Sequence, residues 1–456
     1  MAAWYVRRVS QERKTLERAS FGVPVFNGWS TYSCTMERAD VVIVGAGAAG
    51  LMTAIWTARS CAHNGTSARV VLVDGAKKIG AKILVAGGGR CNVTHEKVLP
   101  KDYAGGSRNT IKKVLKAWSA SDTIEFFAEL GVELKEEDTG KMFPVTDSSK
   151  TILNALLNEC RRLGVEIVFP WRVKSIDWND TEFILRSNED EIITQRVVIA
   201  TGGLALPKTG SDGAGYGFVK SLGHRVTERV LPALVPIITS SESGWITELS
   251  GIAARVSIEV HSGSGKKLVS FTNDLLCTHF GLSGPAALDV SRWYFDAELD
   301  DPKAKLVINW LGSGSFDEVD AQLLEVGKQS IGVYLRGLIP DRLGKMLCKR
   351  CSIDPATPGH GVTREQRRAL VHLLVACEVV VAGNRGFTFA EVTAGGVPLD
   401  EIQVSTMQSR VCDGLWIVGE ILDVDGRIGG FNFQWAWANG HIAGRSIAES
   451  ICTSKT

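Results

Sequence analysis

Charge of one sign is missing from this chain. Its 51 Lys and Arg face 50 Asp and Glu, a net charge of +1, so nothing marks nucleic acid or an anionic membrane as a partner. Long hydrophobic runs are missing as well. The longest apolar stretch, Ala369 to Gly383, contains His372 and Glu378, is too short to span a bilayer, and reads as a core helix or strand. The N-terminus lacks the charged-then-apolar pattern of a secretory signal. Residues 1–37 carry Arg and Glu without periodicity and are expected to be a disordered extension, with Met36 a candidate for the true start. Their basic residues hint at an organelle transit peptide, but Glu12 and Glu17 argue against one. The 10 cysteines have no framework spacing, which fits a reducing cytoplasm. Cys348-Lys-Arg-Cys351 has no second Cys or His pair at zinc spacing, so no metal site is expected and the two read as ordinary thiols near a helix end.

What is present is a soluble globular composition, 45% hydrophobic and 22% charged over 456 residues, enough for two or three domains. Its organising stretch is Asp40-Val-Val-Ile-Val-Gly45-Ala46-Gly47-Ala48-Ala49-Gly50. The apolar run Val41 to Val44 reads as a parallel strand buried on both faces, entering G-x-G-x-x-G and then a breaker-free helix from Leu51. The glycines serve a tight turn, close approach to a pyrophosphate and close helix–strand packing, and the helix start offers free N–H groups to the phosphates. A second strand, Val70 to Val73, ends at Asp74, 24 residues after Gly50, near the spacing at which a carboxylate meets the adenosine ribose. Next comes Gly87-Gly88-Gly89-Arg90-Cys91-Asn92-Val-Thr94, whose glycines admit something flat or charged and whose Arg90 and Asn92 are placed to reach a ligand.

The remaining order is helix, break, helix over Asn109 to Leu130, an amphipathic helix from Ser149 to Leu163 stopped by Gly164, and a short strand Val165 to Phe169. An antiparallel meander follows over Arg172 to Trp178, Thr181 to Arg186 and Glu191 to Gln195, and then a buried strand ending Thr201-Gly202-Gly203. A βαβ unit, a small meander and a strand ending in Thr-Gly-Gly form the pattern of flavoproteins with two dinucleotide-binding domains. The expected class is α/β. A Rossmann-type domain over 38–204 is interrupted by a β-rich insert (205–320) and a helical one (321–390), and is closed by 391–456. Within 391–456, Leu415 to Gly419 is a buried strand, and Gly429-Gly430-Phe431-Asn432 opens the last helix.

Together with Thr278-His279-Phe-Gly-Leu-Ser-Gly-Pro285, Val392-Thr-Ala-Gly-Gly-Val-Pro-Leu and Gly419-Glu420-Ile-Leu-Asp-Val-Asp-Gly, these motifs give residues 38 to 450 a resemblance to a known family. It is the bacterial group of FAD-dependent oxidoreductases that includes aminoacetone oxidase and flavoproteins of bile-acid gene clusters. The resemblance implies non-covalent FAD, a glutathione-reductase-like domain and a β-barrel-like plus helical insert. Carried onto this sequence, it implies a cofactor bed of Gly45 to Gly50, Asp74, Gly75, Lys82, Gly88 to Asn92, Val173, Thr201 to Gly203, Gly419, Glu420 and Gly430 to Asn432. Two departures stand out: His95 where Asn is expected, and Asp74 where Glu is usual, the latter keeping its carboxylate.

In this setting Glu420 is placed to bind the ribityl hydroxyls, and the N–H groups at Gly430 to Phe433 to meet charge near flavin N1. Gly210-Ser-Asp-Gly213-Ala-Gly215-Tyr-Gly217 does not follow a buried strand, so it reads as a loop over the flavin and NAD(P)H is expected to react only transiently. O2 is the candidate acceptor. Cys91 has no partner thiol and reads as packed. His279 is the candidate acid or base, since a polar group inside an apolar motif suggests a lined pocket. Two functions remain open: an oxidase or reductase of a small organic substrate, or a flavin-bound regulatory protein without turnover.

Overall fold

A computed structural model describes residues 37–455, so the extension expected over 1–37 lies, apart from Glu37, outside the described residues. The strand Val41–Val44 is fully buried and takes a central place in a seven-stranded sheet. Val70–Val73 and Val197–Ile199 flank it in parallel, followed outward by Glu166–Val168 on one side and Leu415–Ile417 on the other. The antiparallel pair Gln408–Ser409 and Ile402–Gln403 finishes that second edge. Strands from residues 41–199 and 415–417 therefore share one sheet, and the C-terminal stretch returns to the domain that the N-terminal stretch begins.

Two helices cover the site end of this sheet, Ala48–His63 and the terminal Phe431–Lys455. They cross closely because the last helix presents glycine where they touch. A Cβ on Gly440 would sit 2.8 Å from Ala49 O, and one on Gly444 2.8 Å from Thr53 O. The expected helix pair appears as Arg108–Ala117 and Ala120–Glu129, each with a serine N-cap. The meander forms a four-stranded sheet with Glu37–Ala39 at its edge.

Between the halves of the Rossmann sheet, a second seven-stranded sheet runs in the order Cys377–Val379, Lys305–Asn309, Ala253–His261, Lys267–Thr278, Gly281–Ser283, Ile237–Thr239, Val381–Asn384. Its two edge strands are consecutive in sequence, so one stretch, 377–384, pairs with both sides. The expected order of strands first and helices second is corrected at two places. Gly284–Asp300 is a long helix started by a proline in its first turn, and the two edge strands come after the helices Phe316–Glu325 to Arg364–Val375. Each sheet has its own large apolar cluster. A small third cluster, Ala233, Leu234, Leu288, Val392 and Ala394 with Leu231 and Ile428 against it, lies where the two regions meet.

Candidate functional site

A cavity of about 410 Å³ opens at the carboxyl end of the Val41–Val44 strand, where ligands of open α/β sheets bind. Gly45, Ala46, Gly47, Ala48 and Ala49 wall it. Gly45 adopts φ +108° with Ala200 O only 2.4 Å from where a Cβ would be, so no other residue makes this turn without strain. Gly50 does not line the cavity; its Cβ would fall 1.9 Å from Gly45 O, and its role is helix–strand packing. Gly47 differs from both. Its backbone is extended, at φ −85° and ψ −169°, and no atom of the described residues lies within 4 Å of an added Cβ. A side chain there would project into space that a pyrophosphate needs.

The Asp74 carboxylate marks one end. Oδ2 accepts from Ala46 N and Oδ1 from Ala76 N, each at 2.7 Å, which fixes the group while leaving lone pairs for ribose hydroxyls. Gly75 and Val173 line the same end. Arg172 pairs with Asp212 at 2.7 Å, and a Cβ on Gly210 would lie 3.7 Å from Ala76 Cβ. The 210–217 segment thus closes over the Asp74 end, a correction to its expected place over the flavin ring. Thr201 and Gly202 line the cavity, whereas Gly203 packs against Thr393 Oγ1, 2.4 Å from its would-be Cβ. Thr201 Oγ1, Ser211 Oγ and Trp435 Nε1 belong to cavity-lining residues, are buried, and have no hydrogen-bond partner among the described residues. Such orphaned polar atoms, with the open space above Gly47, are what a dinucleotide would satisfy and fill, so the residues present fit FAD.

In the middle, Lys82 forms an ion pair with Glu420, whose other oxygen accepts from Thr393 N at 2.9 Å. Gly419 and Gly88 line this region, and Gly88 has no atom within 4 Å of an added Cβ. Arg90 lines the cavity, but its guanidinium is engaged by Glu137 at 2.5 Å and lies 4.0 Å from the Phe143 ring centroid. With its amide turned to match donors to acceptors, Asn92 holds Gly430 N at 3.2 Å and Thr94 O at 2.9 Å. Gly430 N is therefore occupied, which leaves the next N–H groups of the helix start for a ligand. Asn432 lines the cavity while its amide clamps the backbone of Gly426 at 2.8 and 2.9 Å. Gly89, Cys91 and Phe431 do not line it. Cys91 is fully buried and burial pushes its thiol up to about 12, so it is a packed thiol. Phe431 is buried and stacks on His95, ring centroids 4.8 Å apart, which gives the unexpected imidazole at position 95 its partner.

The other end carries three charged side chains that motif reading did not single out. Lys141 stands on Lys141–Pro144 near Gly429 and makes no side-chain hydrogen bond or ion pair among the described residues. Arg427 donates to Asp289 Oδ2 at 3.1 and 3.2 Å and lies 3.7 Å from Asp102. Asp289 is buried, and burial raises its carboxyl above the usual range against the pull of Arg427. Glu391 lines the cavity and is exposed there. Desolvation by the protein atoms around it raises its pKa, Lys82 and Lys141 oppose the rise, and Asp289 adds to it. The available signal was a lone charge set among glycines or small apolar residues, as in Gly426-Arg427-Ile428-Gly429 and Ala390-Glu391-Val392.

His279 is not among the residues that line the cavity, and its assignment as acid or base is corrected. It is exposed in the two-residue turn between Lys267–Thr278 and Gly281–Ser283, edge-to-face on Phe280 at 5.1 Å. Gly281 owes its identity to packing, since a Cβ would meet Ile237 O at 2.4 Å. The Cys348 and Cys351 thiols are free, buried and raised by burial to about 11. No helix among the described residues is long and apolar enough to cross a membrane.

Comparison with known proteins adds four findings. The family described as HI0933-like protein Rossmann domain matches residues 39–446. A 3-dehydro-bile acid delta(4,6)-reductase of Clostridium scindens is 32% identical over 412 residues, 89% of this chain and 98% of that protein. A ribosomal RNA dihydrouridine synthase of Haemophilus influenzae is also 32% identical, over 417 residues, 90% of this chain and 99% of that one. Among solved structures, a 3-ketosteroid delta1-dehydrogenase of Sterolibacterium denitrificans shares 12% identity at a TM-score of 0.50, covering 91% of this chain and 100% of that one, a likeness of fold.

Proposed function

The chain belongs to the HI0933-like Rossmann-domain family, and on that premise we propose that it is an FAD-dependent oxidoreductase that reduces a C=C bond conjugated to a carbonyl group. The observation that carries this reading is one cavity with a ribose-type acid, Asp74, at one end and two cationic side chains, Lys141 and Arg427, at the other. Between them lie Gly47 and Gly88, whose missing side chains leave the space open. The relatives support the substrate class. A delta(4,6)-unsaturated 3-dehydro-bile acid and a uridine base share one reducible unit, an alkene conjugated to a carbonyl.

When bound, FAD supplies a hydride to the far carbon of that unit. The chain's residues then have three tasks. Asp74, with the turn from Gly45 to Gly50 and the helix behind it, holds the adenosine and pyrophosphate half. Lys141 and Arg427 receive the negative charge that grows on the carbonyl oxygen; a preoriented donor of this kind contributes on the order of 10²–10³-fold in rate. Arg427 is aimed by Asp289, and Ile428 N donates to the same carboxylate at 2.8 Å, so the cation is fixed before the charge develops. Leu206, Leu234, Val392, Ile428 and Phe433 supply an apolar lining that excludes water from the reacting bond.

The test has two steps. Cofactor released from purified protein is identified by mass, and the protein is then supplied with an artificial reductant and either a 4-en-3-one steroid or a uridine-containing RNA oligonucleotide. The reading expects FAD and a product two mass units heavier in one arm. FAD with neither product over many equivalents of reductant would favour a flavin-bound protein without turnover.

A further inference from the structure

Among the described residues, four carboxylates line the cavity: Asp74, Asp212, Glu391 and Glu420. Asp74 accepts two backbone N–H groups, Asp212 pairs with Arg172, and Glu420 is held by Lys82 and Thr393 N. Glu391 alone among them has no side-chain hydrogen bond or ion pair among the described residues, and it is exposed where it lines the cavity. A carboxyl on a cavity wall that no protein group holds is free to give its proton to a bound ligand.

Its mounting is rigid. Glu391 N donates to Leu234 O at 3.2 Å, and the next residues, Val392–Ala394, pair with Leu231–Ala233. Val392, Leu234 and Ile428 pack in one apolar cluster, so the backbone that carries Glu391 and the loop that carries Arg427 form adjoining walls of the same end of the cavity. We propose that Glu391 is the proton donor of the reaction, delivering its proton to the carbon next to the carbonyl of a conjugated substrate. The inference rests on the flavoenzyme reading above, which supplies the reductant.

The step balances. A hydride from reduced FAD forms the C–H bond at the far carbon, and the alkene pair moves to give an enolate whose oxygen faces Lys141 and Arg427. The Glu391 O–H bond breaks as the second C–H bond forms at the near carbon, and the carboxylate regains its proton from water when the product leaves. Two electrons and one proton arrive with the hydride; the second proton comes from Glu391. The charged groups facing Glu391 are Lys82 on the helix Ala81–Val85, Lys141 on Lys141–Pro144 and Asp289 on Gly284–Asp300. The lysines lower its pKa while desolvation by neighbouring protein atoms and Asp289 raise it, and the net direction is upward.

The test uses Glu391→Gln, nearly equal in size, in the FAD-loaded protein. FAD content and melting temperature should match the wild type. Reoxidation of the reduced protein by a conjugated enone should slow on the order of 10²–10⁴-fold, and the wild-type rate should fall as pH rises through the pKa of Glu391. A readout independent of turnover is a pH titration of the oxidised wild type labelled with ¹³C-glutamate. One carboxyl resonance should titrate above the ordinary glutamate range and be absent from Glu391→Gln. An unchanged reoxidation rate in the variant, or no carboxyl titrating above that range, overturns the proposal. If no enone reoxidises the wild type, the failure belongs to the flavoenzyme reading, and the titration still decides whether Glu391 holds a proton. Should the variant fail to fold, the wild-type titration and pH profile decide alone.

Discussion

Gly47→Val separates cofactor binding from folding more cleanly than any other change at the turn. The backbone at Gly47 has φ −85°, which any residue adopts, and an added Cβ meets no atom within 4 Å. The flavin-free protein should therefore fold as before, with a melting temperature within about 2 °C of the wild type, since a substitution free of clash and strain changes stability little. The space filled is the one through which a pyrophosphate approaches the helix start. Two charge-assisted hydrogen bonds lost there, at about 1.5–3 kcal/mol each, weaken FAD binding by about 3–6 kcal/mol, or roughly 10²–10⁴-fold. Gly50→Ala is the control, because its Cβ would lie 1.9 Å from Gly45 O and the clash is with backbone. That change should lower stability by about 1–3 kcal/mol or more through overpacking. The assay is FAD fluorescence quenching on reconstitution, alongside thermal melts of both flavin-free variants. Wild-type FAD affinity in Gly47→Val, or a melting point that falls as it does in Gly50→Ala, refutes the reasoning.

Three other outcomes follow from the same geometry. Asp425 is buried beside Arg292 and its carboxyl is raised to about 6, above the roughly 3.9 of an unfolded chain. The folded state keeps a proton that the unfolded state has released, so this group's stabilisation, full below pH 4, is lost as pH rises through about 6. Asp425→Asn does not titrate, so relative to it the wild type should lose up to about 3 kcal/mol between pH 4 and pH 7, at 1.36 kcal/mol per pKa unit; a pH-independent difference in melting would contradict this. Gly440→Val should cost about 1–3 kcal/mol in denaturant unfolding, since its Cβ would press on Ala49 O and Met52, and wild-type stability would show that the two helices separate freely. Cys91, buried with its thiol pushed up to about 12, should resist thiol reagents in the native protein, and Cys91→Ser should keep flavin reduction intact; rapid labelling at Cys91 would reopen a redox role.

The parts of this protein that could be read from sequence are those whose meaning is local. Val41 to Gly50 encodes a strand, a turn needing positive φ and a helix start within ten residues, and the spacing to Asp74 is fixed by one helix. Lys141, Glu391 and Arg427 come from three separated segments that meet only after the inserted region docks on the Rossmann sheet, and no periodicity announces that meeting. His279 shows the opposite failure. A polar residue inside Thr-His-Phe-Gly looked like a pocket wall, but the 278–281 register makes it the tip of a hairpin, and the motif's glycine answers to the crowding of Ile237. Asn432 and Arg90 line the cavity, yet their hydrogen bonds go to Gly426 and Glu137, which makes them its scaffolding.

The central claim is that this cavity holds FAD for the reduction of an alkene conjugated to a carbonyl. Its most direct test is anaerobic stopped-flow mixing of the chemically reduced protein with a matched pair of ligands, a 4-en-3-one and the corresponding isolated alkene without the ketone, followed at the flavin absorbance. The account predicts saturable reoxidation by the conjugated ketone and none by the isolated alkene, with Lys141→Met slowing the first on the order of 10²-fold. Equal reoxidation by both ligands, or an unaltered rate in Lys141→Met, would contradict it.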